Sequence, residues 1–346
     1  MREKAQNNTT NRVVAVFGAT GHTGRFVIAE LLRRGITPIT ITRDANTLSA
    51  AKFSENGVDR RQATIDDSGS LDRALRGAQA VINCAGPFAD TAGALASAAL
   101  RAEIHYLDVA AEQVITAKTL QRFDEPARKA GVAVIPAMAF YGGFADLMVT
   151  SLLDHWDTVD SIEILMGIDS WHPTQGTRNT IGRNVVGNLM ITEGRLTPVS
   201  SSPPSKQWNI PGPLGNQAVV EVPFSEAILI SKHVKTSELH NYLPQIAVNQ
   251  VLDPSTPGPK PSDAIGRSAQ QFVIEVVVKR GNESRRAISR GRDSYAVTAP
   301  LVCEAVTRLL KGNIPAGAHA PGEIFPAKEF LESLGPDHAS FEIVAS

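Results

Sequence analysis

The stretch Val13 to Gly35, VVAVFGATGHTGRFVIAELLRRG, decides the fold. Its first five residues form a short continuous apolar run, the pattern of a strand buried on both faces of a parallel sheet. From Phe26 to Leu32 apolar residues recur at helical spacing, and Gly35 ends the helix. Between strand and helix lies Gly18-Ala19-Thr20-Gly21-His22-Thr23-Gly24. In such a turn the first glycine permits the tight exit from the strand. The second lets the backbone approach a pyrophosphate, and the third lets the helix pack closely on the sheet. The helix start then offers unpaired N–H groups and a positive dipole end to the phosphates. The spacing is GxxGxxG, one residue longer than the best-known fingerprint. A buried strand before it and a helix after it identify a dinucleotide-binding turn. Gly18, Thr20, Gly21, His22, Thr23 and Gly24 are its expected cofactor contacts.

Outward from this unit, strand and helix patterns alternate as far as about Ala145. ITPITIT (36–42) predicts the second strand, and a weaker third strand lies near 58–63. Ser70 is placed to cap a helix over 71–77, AVINCAG (80–86) is the fourth strand, and an alanine-rich helix over 93–101 leads to HYLDVA (105–110). A helix over 117–130 precedes GVAVIPA (131–137). This alternation predicts an α/β fold with a parallel, doubly wound Rossmann sheet. An NAD-binding version places an acid at the end of the second strand to hold the ribose 2′-OH. Here Arg43 stands there, and a guanidinium pairs with a 2′-phosphate, so the expected cofactor is NADP(H). Asp44 either turns to the ribose or caps a following helix. Asp66 and Asp67 either border the adenine or belong to a solvated turn. Cys84, Ala85, Gly86 and Pro87, closing the fourth strand, lie where ligands pass in open α/β sheets.

After about Ser151 the texture changes to that of a second, α+β unit built on a mixed sheet. SIEILMGI (161–168), AVVEVP (218–223), ILISKHV (228–234) and QFVIEVVVKR (271–280) read as strands, and SELHNYLPQI (237–246) as a helix. Residues 198–213 and 252–263 are Pro-rich connections, and Tyr295 to Leu310 is again an amphipathic helix.

Composition narrows the function. The 346 residues suffice for two domains, and 42% hydrophobic with 20% charged residues is the balance of an ordinary globular protein. A net charge of −1 gives no bulk attraction to nucleic acid or an anionic membrane, and neither is expected as a partner. No apolar run is long enough to span a membrane, and the polar start Met1 to Arg12 has no signal core, so a cytoplasmic location is expected. The two cysteines, Cys84 and Cys303, form no metal pair, and the eight histidines show no ligand spacing, so no metal is expected. None of the four tyrosines has Lys four residues on, which removes the Tyr/Lys short-chain mechanism, and no G-x-S-x-G elbow is present. Direct hydride transfer at a nicotinamide remains.

GATGHTG, then NCAGPF (83–88), then AEIHYLDVAAE (102–112), with PGEIFP (321–326) near the end, resembles the saccharopine dehydrogenase-like family of oxidoreductases. The resemblance implies a substrate and dimerisation domain inserted into the nucleotide domain, whose last helix returns to it. The expected division is 11–150 with 293–346 for the Rossmann domain and 151–292 for the insertion, and a homodimer is expected. Near the nicotinamide, Tyr141 is the first choice for a proton donor or substrate hydrogen bond, with Tyr106 and Asp108 as further candidates. Asp108 also fits a helix cap, and Tyr141 an aromatic packed at the domain junction. Phe140 and Trp171 are expected at the substrate, and Arg178 or Arg183 would clamp a carboxylate. The function expected is NADP(H)-dependent hydride transfer to or from a C=N, C=C or C=O bond. The alternative is a non-catalytic NADP(H)-binding sensor or scaffold.

Overall fold

The computed structural model describes residues 12–44, 58–182, 188–200, 202–203 and 205–344. The apolar run opens the chain as strand β1 (Val13–Phe17), fully buried from Val14 onward. After the helix His22–Arg33 come β2 (Thr37–Thr42), β3 (Asp59–Gln62), β4 (Ala80–Asn83), β5 (His105–Asp108) and β6 (Ala133–Ile135). All pair in parallel, in the order β6-β5-β4-β1-β2-β3, which is the Rossmann order with its switch point between β1 and β4. The register sets Phe17 beside Asn83 and Asn83 beside Asp108, so the carboxyl ends of three strands form one edge. The small and β-branched residues along β1, β2 and β4 suit a sheet covered by helices on both faces.

The second sheet is built from β7 (Thr158–Ile168), β8 (Leu189–Thr192), β9 (Arg195–Pro198), β10 (Lys206–Ile210), β11 (Gly215–Glu221), β12 (Lys235–Pro244), β13 (Gln271–Arg280) and β14 (Glu283–Arg292). It is mixed, with β7 and β12 parallel and the other neighbours antiparallel. The doubly wound sheet and the second mixed sheet are thus both present. The C-terminal segment divides between them. Helix Thr298–Leu309 packs on His22–Arg33, and the two are locked by Arg34, which donates to Glu30 (2.6 Å) and to Glu304 (2.5 Å). β15 (Gly317–Ala318) then extends the first sheet beside β6. The last strand, β16 (Ala339–Val344), instead pairs with β14, so the expected assignment of 293–346 to the first unit fails for its final strand.

Two elements in the second unit depart from expectation. SELHNYLPQI is mostly strand β12, not helix. Leu239 and Leu243 are four apart, a spacing that suits either period. The alternation of buried Leu239, Asn241 and Leu243 with half-buried His240 and Tyr242 is that of a strand. Conversely, the apolar run expected as a strand over 228–234 falls largely in helix Ser225–Ser231, whose residues are buried through Ile230. A short apolar run enclosed on every side carries no period to read. In the first unit, Asp67 rather than Ser70 caps helix Ser68–Leu75, accepting from the Ser70 N–H at 3.0 Å. The helix expected after Asp44 lies outside the described residues.

Candidate functional site

The exit from β1 is closed so tightly that side chains are excluded. Gly18 has φ +80°, and a Cβ there would lie 2.9 Å from the Ala85 nitrogen and Cβ. A Cβ on Gly24 would lie 2.2 Å from the Gly18 carbonyl oxygen. The helix therefore starts directly against the turn, with Gly21 as its N-cap, no side-chain cap and no acid in its first turn. By helix geometry the N–H groups of His22, Thr23 and Gly24 have no acceptor within the helix. This backbone cradle fits a dinucleotide pyrophosphate.

The cradle opens into a cavity of about 860 Å³ at the carboxyl ends of the parallel strands. That is the upper part of the range for ligand sites, about 300–1,000 Å³. Gly18, Thr20, Gly21, His22 and Thr23 line it at one end, with exposed Arg43 and Asp44 at the rim beyond β2. Cys84, Ala85, Gly86 and Pro87 line its middle. Burial lowers the proton affinity of His22, so its ring stands neutral here, and burial pushes the Cys84 thiol up. Asp66 is exposed and outside the lining, where Ile65 stands instead. It therefore belongs to the solvated turn.

Further along stand Phe140, Tyr141 and Trp171, with Phe224, Thr298 and Tyr295, whose ring lies 5.4 Å from that of His22; these last three had no role assigned from sequence. Tyr141 follows β6 in a wide turn, Phe140–Phe144, in which Gly142 takes φ +150°. A Cβ on Gly142 would meet the Ala137 oxygen at 2.5 Å, so glycine lets the chain fold back and lift the tyrosine. The Tyr141 ring lies 4.4 Å from that of Phe224 and 5.2 Å from that of Trp171. Its hydroxyl is buried and has no hydrogen-bond partner among the described residues. Burial, with Tyr295 and Glu226 nearby, holds its pKa well above the usual phenol value, so it is a donor at neutral pH. The Tyr295 hydroxyl, by contrast, accepts from Trp171 Nε1 (3.0 Å) and the Thr174 N–H (3.4 Å) and pairs with Thr177 Oγ1 (2.9 Å). Asp293, fully buried, fixes this tyrosine by accepting from the Tyr295 and Ala296 N–H groups. Glu112 also lines the cavity and accepts from the Ala111 N–H at 3.0 Å, its carboxyl pushed up by burial.

Three expected site residues have other roles. Tyr106 is fully buried below the cavity floor, donating to Asp108 Oδ2 at 2.9 Å and accepting from Asn83 Nδ2 at 3.3 Å. Asp108 also accepts from the Ala110 N–H (3.1 Å) and the Ala137 N–H (2.7 Å), and burial pushes its carboxyl up to about 6. Neither residue lines the cavity; together they hold the Ala137 turn that supports Tyr141. Arg178 is turned away from the cavity and donates to the carbonyls of Asp253 and Thr256, so it anchors the Pro-rich connection. Arg183 lies outside the described residues. Among the described residues no cluster of His, Cys, Asp and Glu could hold a metal, and no helix is long and apolar enough to cross a membrane.

Residues 14–135 match the family model described as the saccharopine dehydrogenase NADP binding domain. The fold is that of the L-Glu-forming saccharopine dehydrogenase of Saccharomyces cerevisiae, with a TM-score of 0.68, 14% identity, and coverage of 97% of this chain and 100% of that one. A lipid droplet localized protein of Caenorhabditis elegans is 26% identical over 187 residues, 49% of this chain and 43% of its own length. An Arabidopsis thaliana protein named as a probable mitochondrial saccharopine dehydrogenase-like oxidoreductase is 22% identical over 256 residues, 64% of this chain and 55% of its own. The matches thus span about half the length of these two relatives.

The supporting role of Tyr106 is open to test. Tyr106→Phe removes one hydroxyl between Asn83 and Asp108, and is expected to lower unfolding stability by about 1–2 kcal/mol in urea. Nucleotide affinity stays unchanged; a large loss of affinity without loss of stability would put Tyr106 back in the site. Glu226 provides a pH test. It is fully buried, one of its oxygens has no partner among the described residues, and burial pushes its pKa up to about 7. The folded state therefore retains a proton that the unfolded chain releases near 4.5, and stability falls as pH rises through 7. Glu226→Gln keeps the bond from the Phe224 N–H and removes that loss, at most about 3 kcal/mol. The variant should match the parent at pH 4 and exceed it at pH 8.5 in denaturation. An equal difference at both pH values would contradict this.

Proposed function

We propose that this chain, a member of the saccharopine dehydrogenase-like oxidoreductases, transfers a hydride between NADP(H) and a C=N, C=C or C=O bond of a small organic substrate. One observation carries the reading. A single cavity runs from a glycine-built phosphate cradle to Tyr141, whose buried hydroxyl has no partner among the described residues. The backbone N–H groups of His22, Thr23 and Gly24 bind the pyrophosphate, and Arg43 pairs with the 2′-phosphate. Ala85, Gly86 and Pro87 present little side chain, which lets the nucleotide cross β4 toward β6. Bound nicotinamide supplies the hydride itself, that is, two electrons and one proton.

The protein's own contribution is position and exclusion of water. Phe140, Tyr141, Trp171 and Phe224 enclose the end beyond β6, where the acceptor carbon must stand against the nicotinamide. In the reducing direction the carbon gains the hydride and the heteroatom, or the far carbon of an alkene, gains a proton. Tyr141 Oη is placed to donate that hydrogen bond or proton, replenished from solvent. Among the described residues no Lys lines the cavity, so Tyr141 acts as a donor and not as a base at neutral pH.

The cofactor choice is tested by titrating NADPH and NADH against the protein and Arg43→Ala, following nicotinamide fluorescence. NADPH should bind at least tenfold more tightly than NADH. Arg43→Ala should lose about 10- to 100-fold for NADPH, the value of a charged hydrogen-bond pair, and little for NADH. Equal affinities in the parent would overturn the reading of Arg43. Tight NADPH binding with no oxidation across a panel of imines, enones and ketones would favour the sensor instead.

A further inference from the structure

We infer, on the reading just proposed, that the substrate is an uncharged molecule with a flat apolar body, oriented by one hydrogen bond from Tyr141 to its carbonyl oxygen. The walls at this end are aromatic faces. Tyr141 and Trp171 are 9% and 5% exposed, and the rings of Trp171 and Phe224 are 6.1 Å apart. The polar atom of Trp171 is already bound to Tyr295, and the Tyr295 hydroxyl has three partners of its own. What these side chains still offer is ring surface, with the Tyr141 hydroxyl as the unpartnered donor among them.

Charge points the same way. Among the described residues, Arg43 is the one Lys or Arg lining the cavity. It follows β2, whereas Tyr141 follows β6, four steps across the sheet, so the strands that carry them are about 19 Å apart at 4.8 Å per step. Arg43 therefore cannot serve a group lying against Tyr141. The charged groups on that side are acids: Glu112, which lines the cavity and follows β5, one step from β6, and buried Glu226 near Tyr141. Arg178 is bound to backbone carbonyls of the 253–256 connection and does not reach the cavity. A substrate carboxylate would leave water and meet no Lys or Arg at this end, only aromatic faces, neutral polar side chains such as Thr177 and Ser294, and acids. An uncharged ketone or enone loses little hydration and gains both ring contact and the tyrosine hydrogen bond.

The test uses a matched pair of probes, benzylideneacetone and its carboxylated counterpart benzylidenepyruvate, titrated calorimetrically into the full chain with and without NADP+. Benzylideneacetone should bind at least tenfold more tightly than benzylidenepyruvate. Tyr141→Phe should weaken benzylideneacetone about tenfold while leaving NADP+ affinity unchanged, and Trp171→Ala should weaken it by more. Equal or tighter binding of the carboxylate overturns the inference, as does failure of both probes to bind a protein that binds NADP+. Failure of NADP+ itself to bind defeats the cofactor reading instead, and the pair titrated into the free chain still decides the preference of the aromatic end.

Discussion

Everything at the site depends on how closely the first helix approaches the turn that precedes it. The Gly18 carbonyl occupies the space a Cβ at position 24 would need, and Ala85 occupies the space a Cβ at position 18 would need. That three-way contact brings the helix N-terminus, the end of β1 and the turn after β4 to one point. Because β4 and β5 continue the same parallel register, the turn after β6 faces that point along the sheet edge. The site is therefore a consequence of strand order and of missing side chains.

A second layer lies beneath it. Asn83, Tyr106 and Asp108 form a buried chain of hydrogen bonds ending on the Ala137 N–H, and the Ala137 carbonyl accepts from the Gly143 N–H at 2.8 Å. These groups look like catalytic chemistry when read as residue types. In three dimensions their donors and acceptors are matched to one another, and their effect on Tyr141 is to position it. The same distinction separates Tyr295, whose hydroxyl has partners, from Tyr141, whose hydroxyl has none among the described residues.

Much of the first unit was legible in the chain. The apolar runs of β1 and β4, the glycine turn and the helix stop at Gly35 all act locally, so propensity and period suffice to read them. The aromatic end was only partly legible. Tyr141 and Trp171 stand beside recognisable strand ends, whereas Phe224 and Tyr295 arrive from segments more than 50 residues further on. No local pattern marks them. Arg178 shows the converse: its type and place suggested an anion clamp, but its partners are carbonyls of a connection about 75 residues away. Leu239 and Leu243 fit helix and strand equally, and only burial of Asn241 between them decides.

On the proposed function, one cavity carries NADP(H) from the glycine cradle to Tyr141. A crystal structure of the full chain with NADP+ tests it most directly. The pyrophosphate should lie on the N–H groups of His22, Thr23 and Gly24, the 2′-phosphate at Arg43, and nicotinamide C4 should face the space between Tyr141 and Trp171. A nucleotide bound elsewhere, or one whose nicotinamide points away from the aromatic end, would contradict it.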